Sequence, residues 1–278
     1  MIAFAANSLL CRLALRGTAI DAASFTSIRM IAGALTLPLI VRLEGGSIRG
    51  AGNWPSALAL FAYAAGFSFA YVSLPASTGA LLLFGAVQMT MIGYGIRAGE
   101  RFTPRQWIGL ACAMAGLVGL LLPGLSAPPP GGAALMIAAG IAWGIYSLRG
   151  KGSKNPTAVT AGNFLRAAPF ALALSAAVHT HTAPDYTGIL YAALSGAVTS
   201  GIGYAIWYAV LPALKAANAA TVQLSVPLIA TLGAVVVLGE GLTLRIVLAS
   251  LAILGGIAMF VMQRRAARVG TAQASKDS

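Results

Sequence analysis

Acidic residues are scarce. The 278-residue chain has six, Asp21, Glu44, Glu100, Asp185, Glu240 and Asp277. All fall at or beyond the ends of apolar stretches, so no pair of carboxylates sits mid-stretch for acid–base chemistry. Histidine is scarcer still, with only His179 and His181, in a single His-x-His at a stretch end. Without a third ligand the pair reads as a solvated loop rather than a metal site. Cys11 and Cys112 lie singly in apolar runs and make no disulfide framework. Gly150-Lys151-Gly152-Ser153 lacks the spacing of a phosphate loop, so no nucleotide site is expected. These absences leave no enzymatic activity, no cofactor and no metal to expect.

Charge as a whole is equally thin. The chain is 58% apolar and 9% charged, with a mean hydropathy of +0.84. Soluble domains carry about 25% charged residues, so too little charge is present to coat a water-exposed surface. The composition describes a polytopic integral membrane protein. The net charge of +12 does not point to nucleic acid. Its Lys and Arg residues fall in short clusters between apolar runs, as on the cytoplasmic side of membrane proteins. The lipid bilayer is the expected partner, and nucleic acid is not.

What is abundant is apolar sequence in long runs. A membrane helix needs about 20 mainly apolar residues. Ten stretches qualify: 1–16, 22–43, 54–74, 77–98, 103–122, 131–149, 157–178, 187–211, 216–238 and 242–263. The connections are short, and breakers mark several: Leu74-Pro75, Pro123-Gly124, Pro128-Pro129-Pro130-Gly131-Gly132 and Asn155-Pro156. Thr103, Pro104 and Gln106 spell a capping box with proline at the first helical position. The first stretch lacks a basic leader and has Arg12 and Arg16 after its apolar run, so it reads as a retained helix. Pro169 and Pro227 are expected to kink the seventh and ninth helices.

One short sentence is written twice. Gly99-Glu100, Thr103, Arg105 and Gly116 recur as Gly239-Glu240, Thr243, Arg245 and Gly256, at a constant offset of 140. The repeat extends upstream. Arg12, Arg29, Gly66, Tyr71, Leu74, Pro75 and Ala76 match Arg149, Arg166, Gly203, Tyr208, Leu211, Pro212 and Ala213 at an offset of 137. About three extra residues near Lys215-Ala216-Ala217 absorb the difference. Against this frame the first helix begins short, which raises the expectation of an upstream start codon.

The duplication gives two units, 1–124 and 131–263, followed by a basic tail, 264–278. Five crossings per unit bring the chain out on the opposite side, so the second unit is upside down relative to the first. The fold class is therefore an all-α membrane protein of ten transmembrane helices in two inverted five-helix repeats. Secondary transporters use this design. Loop charges orient it. Arg42, Arg49, Arg97, Arg101, Arg105, Arg149, Lys151, Lys154, Lys215, Arg264, Arg265, Arg268 and Lys276 share one side; Arg12, Arg16 and Arg245 take the other. The crowded side is expected to be cytoplasmic, with both termini there and a disordered tail.

The candidate substrate-binding residues are aromatics and amides inside apolar helices. Tyr63, Phe67 and Tyr71 share one face of the third helix, and Tyr204, Trp207 and Tyr208 lie on the eighth. Trp143 and Tyr146 are spaced i, i+3 on the sixth, and Asn7, Gln88, Asn163 and Gln223 are embedded amides. Taken singly, each reads as core packing or an interhelical hydrogen bond. Together they are material for a polar cavity with aromatic walls, suited to amino-acid-like substrates. Arg29 and Arg166 lie about 12–14 Å inside their helices at 1.5 Å per residue. They are either carboxylate clamps or structural donors to backbone carbonyls, and their duplication favours structure. Glu100 and Glu240 read as caps and ion-pair partners of Arg105 and Arg245, or as gate latches. No intramembrane acid is visible as a proton relay, so a facilitator is expected.

The doubled Gly-Glu-x-x-Thr junctions with their later glycines, together with Arg29 and Arg166, resemble the drug/metabolite transporter superfamily, EamA type. The resemblance covers nearly the whole chain, which is most similar to the YddG branch of amino-acid exporters. It implies a carrier in the bacterial inner membrane, exporting aromatic and other neutral amino acids through a central cavity between the halves. It also places helices five and ten outside the moving core. An exporter of drugs or other small metabolites is the alternative, and a non-transporting receptor or structural protein a further one. A monomer is expected rather than a dimer.

Overall fold

Helix starts in this chain are set by short polar residues ahead of apolar runs. Asp21 accepts hydrogen bonds from the Ala23 and Ser24 amides and opens α2 (Ala22–Leu43). Asn53 caps α3 (Trp54–Ser73) through Ser56, and Asn155 caps α7 (Pro156–Ala177) through Ala158. Asp185 does the same through Gly188 for the helix that begins at Tyr186. The Thr103–Gln106 capping box forms as its sequence foretells and begins α5 (Pro104–Leu121). Each such cap satisfies amides that the helix itself leaves orphaned.

The computed structural model describes residues 1–124, 127–151, 153, 155–178, 185–210 and 222–274, without the side chains of residues 208 and 263–274. The remaining helices are α1 (Ile2–Gly17), α4 (Ala76–Arg97), α6 (Pro130–Gly150), α9 (Ser225–Leu238) and α10 (Leu244–Ala274). Helix α8 has three parts: Tyr186–Leu194, a π-helical stretch Ser195–Ile202, and Gly203–Val210. No strand occurs among the described residues. Among the described residues, seven helices, α2 to α6, α8 and α10, are long and apolar enough to cross a membrane.

Three features depart from the sequence-based expectation. Pro227 lies in the first turn of α9 rather than in its interior, where its missing N–H costs no helical bond. Pro169 is internal to α7, as its sequence position predicts, and Pro38, not singled out from the sequence, is internal to α2. The backbone beyond Gln263 stays helical to Ala274, because the run Arg264-Arg265-Ala266-Ala267-Arg268 is rich in good helix formers. The π-helical stretch in α8 has no counterpart in the periodicity reading.

Packing inverts the pattern of a soluble protein. Leu35, Leu39, Val236, Leu248 and Leu251 are exposed, whereas Asn7, Arg29, Ser68 and Asn163 are buried. An apolar exterior around a partly polar interior suits a lipid solvent. Helix α3 runs through the middle, against α6, α7, α2 and α1. Helices α5 and α10 pair at the side, where a Cβ on Gly109 would lie 2.6 Å from the Gly256 carbonyl oxygen. Two side chains of hydrogen size bring these backbones together.

The repeated junctions share one backbone device. Gly99 and Gly239 sit at φ +80° and +63°, the left-handed region that ends helices. The Glu100 amide then bonds to the Gly95 carbonyl, and the Glu240 amide to that of Ala234. A side chain at either glycine would strain the turn, which explains why glycine recurs in both copies.

A buried aromatic cluster around Arg29

The third-helix face predicted from spacing is real in the structure. Tyr63, Phe67 and Tyr71 are all buried, with ring centroids 5.5 Å apart between the first two and 4.7 Å between the last two. Trp143 of α6 bridges the halves of the chain. Its ring lies 4.7 Å from Tyr63, 5.4 Å from Tyr146 and 5.3 Å from Tyr204, almost parallel to the last. Phe4 adds a contact to Tyr204 and to Trp207 at the edge of the group.

Arg29 sits inside this box at 1% exposure. Its guanidinium carbon lies 5.2 Å from the Tyr63 ring centroid and 5.1 Å from that of Phe67. Nη2 donates to the Tyr63 hydroxyl at 3.1 Å, and Nε to Ser200 Oγ at 3.4 Å. Nη1 is buried and makes no hydrogen bond. A cation at this depth costs roughly 2.5–3.5 kcal/mol on insertion scales. Two π faces and two hydroxyls offset that cost, and one donor remains unused.

Asn7 completes the polar centre. Its Nδ2 donates to the Tyr63 hydroxyl at 3.3 Å, while Oδ1 accepts from Ser195 at 2.6 Å and from Thr199 at 3.3 Å. The π-helical stretch of α8 is what delivers Ser195, Thr199 and Ser200 here. Its Gly196 passes so close to the Arg29 backbone carbonyl that a Cβ there would overlap it. A π-turn changes the angular spacing of side chains, and such turns recur at functional sites. These three hydroxyls escaped the sequence reading. Their signal was the small, polar run Ser195-Gly196 to Thr199-Ser200-Gly201 within an apolar helix.

The other candidates distribute around this centre. Tyr146 donates its hydroxyl to Thr160 at 3.3 Å and receives Asn163 Nδ2 at 3.4 Å. Asn163 Oδ1 accepts the Asn53 amide at 2.9 Å, so this amide ties the α2–α3 loop to α7. Arg166 donates to the Ala51 and Gly162 carbonyls at 2.7 and 2.8 Å, and its guanidinium lies 6.0 Å from the Trp54 ring. It stands away from Arg29 and braces the same loop. Gln88 is buried on α4, and Gln223 is half-buried just before α9. The side chain of Tyr208 lies outside the described residues, as do His179, His181, Asp277, Lys276, Lys154, Lys215 and the Lys215-Ala216-Ala217 insertion.

Glu240 does not pair with Arg245. It accepts the Ala76 amide at 2.7 Å and the Ser77 amide at 3.2 Å, and lies 3.9 Å from Arg12 Nε. Arg245 instead donates to the Leu122 and Pro123 carbonyls. Glu100 is exposed.

Apolar exterior, apolar spans and an interior polar centre together define an integral membrane protein. Comparison with known proteins gives the family. Residues 130–262 match the EamA-like transporter family. An uncharacterized protein of Pseudomonas aeruginosa is 54% identical over 273 residues, covering 97% of this chain and 95% of the relative. A solved crystal structure of a protein aligns with a TM-score of 0.66 at 21% identity, covering 95% of this chain and 97% of the other, which shows a shared fold. The chain thus carries an EamA-like transporter family domain over residues 130–262, of the drug/metabolite transporter superfamily, a family that is in general not enzymatic.

Proposed function

We propose that this protein is a secondary transporter that exports amino acids, aromatic and other neutral ones, across the bacterial inner membrane. The carrying observation is the buried cluster of aromatic rings, amide and hydroxyls around Arg29. Its residues come from α1, α2 and α3 before residue 124 and from α6 and α8 after residue 131, and Arg29 keeps one unpartnered donor there. A carboxylate matches that donor, aromatic faces match an ammonium or an aromatic side chain, and Asn7 matches either charged group. In this reading ten crossings form two inverted five-helix units, 1–124 and 131–263. Both termini are cytoplasmic, with the 264–278 segment as a basic cytoplasmic tail. The units rock about this cluster as a monomer.

No intramembrane acid is required, so exchange proceeds without an ion gradient. The same rings and the same Arg29 donor accommodate other flat, small anionic metabolites, which is the second reading. Counterflow in proteoliposomes with a panel of labelled amino acids separates the two, repeated with Tyr71→Phe and Gln88→Ala. Exchange of aromatic and neutral amino acids, altered by these variants, supports the first reading. Exchange confined to other metabolites supports the second, and no exchange of any solute rejects both.

A further inference from the structure

The Leu74-Pro75 break between α3 and α4 is gripped from two sides by parts of the chain remote in sequence. From α1, Arg12 Nη1 donates to the Tyr71 and Val72 carbonyls in the last turn of α3, at 2.8 and 3.1 Å. From the α9–α10 junction, the Glu240 carboxylate takes the first amides of α4. Oε1 accepts from Ala76 at 2.7 Å, and Oε2 accepts the Ser77 amide at 3.2 Å and its hydroxyl at 3.1 Å. The two grips meet, with Arg12 Nε 3.9 Å from Glu240 Oε1.

A helix start is normally capped by its own N-cap side chain. The N-cap of α4 is Pro75, which has no acceptor there, and α4 makes no local side-chain cap. Its orphan amides are satisfied by a carboxylate 164 residues away. The Glu240 side chain is 8% exposed and that of Arg12 14%, so water is largely excluded from the pair. Removing Glu240 from this seat leaves two amides and a buried cation to be solvated, which water accomplishes only when this end of the molecule opens. Arg12 Nε meanwhile has no hydrogen bond, so the ion pair is not drawn to its tightest geometry. The contact is strong enough to hold and incomplete enough to release.

We propose that Glu240, seated on the α4 start and beside Arg12, is the latch that keeps this end of the pathway shut. The proposal rests on the alternating-access reading above. In the sequence repeat Glu100 and Arg149 hold the places of Glu240 and Arg12. Arg149 now donates to Ser56 and Asn53 at the other end of α3, at 3.0 and 3.2 Å. Glu100 and Arg149 form the corresponding pair when the opposite end closes.

Two experiments test the latch. In the first, Ser68→Cys reports access, since Ser68 is fully buried on α3 beneath the clasp. In a background with Cys11 and Cys112 replaced by Ser, a membrane-impermeant thiol reagent is applied from the Glu240 side. Glu240→Gln raises the labelling rate about tenfold, the size expected for losing a charge-assisted cap, while Glu240→Asp changes it less. Equal rates in the three proteins overturn the latch, whether or not any solute is transported. In the second, Ser77→Cys and Glu240→Cys are joined through two disulfides by a short bis-methanethiosulfonate. Linked protein loses counterflow and regains it on reduction. Full-rate counterflow by linked protein overturns the latch and leaves the transport reading intact.

Discussion

Tyr63→Phe deletes one oxygen atom and little else, and that atom joins Arg29 to Asn7 at the centre of the cluster. The Tyr63 hydroxyl accepts from Arg29 Nη2 at 3.1 Å and from Asn7 Nδ2 at 3.3 Å. The ring remains, so the cation–π contact at 5.2 Å is retained. Arg29 is then left with a single long bond to Ser200 and with two unpartnered nitrogens in a site closed to water. A hydrogen bond to a charged group contributes about 1.5–3 kcal/mol and a neutral one about 1 kcal/mol. The expected loss is thus about 2–4 kcal/mol, reduced wherever a water enters the gap. For a chain of this size that lowers an apparent Tm by roughly 5–10 °C. The assay is thermal unfolding of purified protein in detergent, followed by exposure of the buried cysteine Cys11. A double-mutant cycle with Arg29→Met isolates the pair, with a coupling of about 1–2 kcal/mol expected between them. A change in Tm below about 1 °C for Tyr63→Phe refutes the claim that this hydroxyl holds the buried cation.

Other consequences follow from the same contacts. Ser195→Ala removes the 2.6 Å bond to Asn7 and is expected to cost about 1 kcal/mol, measured as a Tm drop of a few degrees. Arg166→Leu breaks the tie to Ala51, and hydrogen exchange across residues 44–53 is expected to quicken while that of α1 does not change. Gly256→Leu places a side chain against the Gly109 carbonyl, and the α5–α10 pair is expected to fail, seen as loss of monodisperse protein on size exclusion.

Much of the helical layout was legible because lipid imposes a simple rule on length and polarity. Apolar run length, with the Thr103 cap and the Asn155-Pro156 break, placed the starts of α2, α3, α5 and α7 to within about two residues, the usual fraying of helix ends. The i, i+4 spacing of Tyr63, Phe67 and Tyr71 foretold a shared face. The duplication itself was legible, and the structure adds that its two glycines, Gly99 and Gly239, share one left-handed turn. Periodicity reports faces and not partners, however. Nothing local to Glu240 announces that its carboxylate caps a helix 164 residues away. Nor does Arg166 announce that a loop carbonyl, rather than a ligand, takes its charge. The π-turn was hidden because its extra residue per turn shifts side chains without changing composition. Its consequence is large, since it brings Ser195 and Thr199 to Asn7 and Ser200 to Arg29.

The account turns on one buried site being reached in turn from the two faces of the membrane. Thr199, 3% exposed beside Asn7, reports that directly. With Thr199→Cys in sealed vesicles of both orientations, impermeant thiol reagents are predicted to reach the site from either face. A saturating transported amino acid is predicted to slow both reactions. Labelling from one face alone, unaffected by any amino acid, would contradict it.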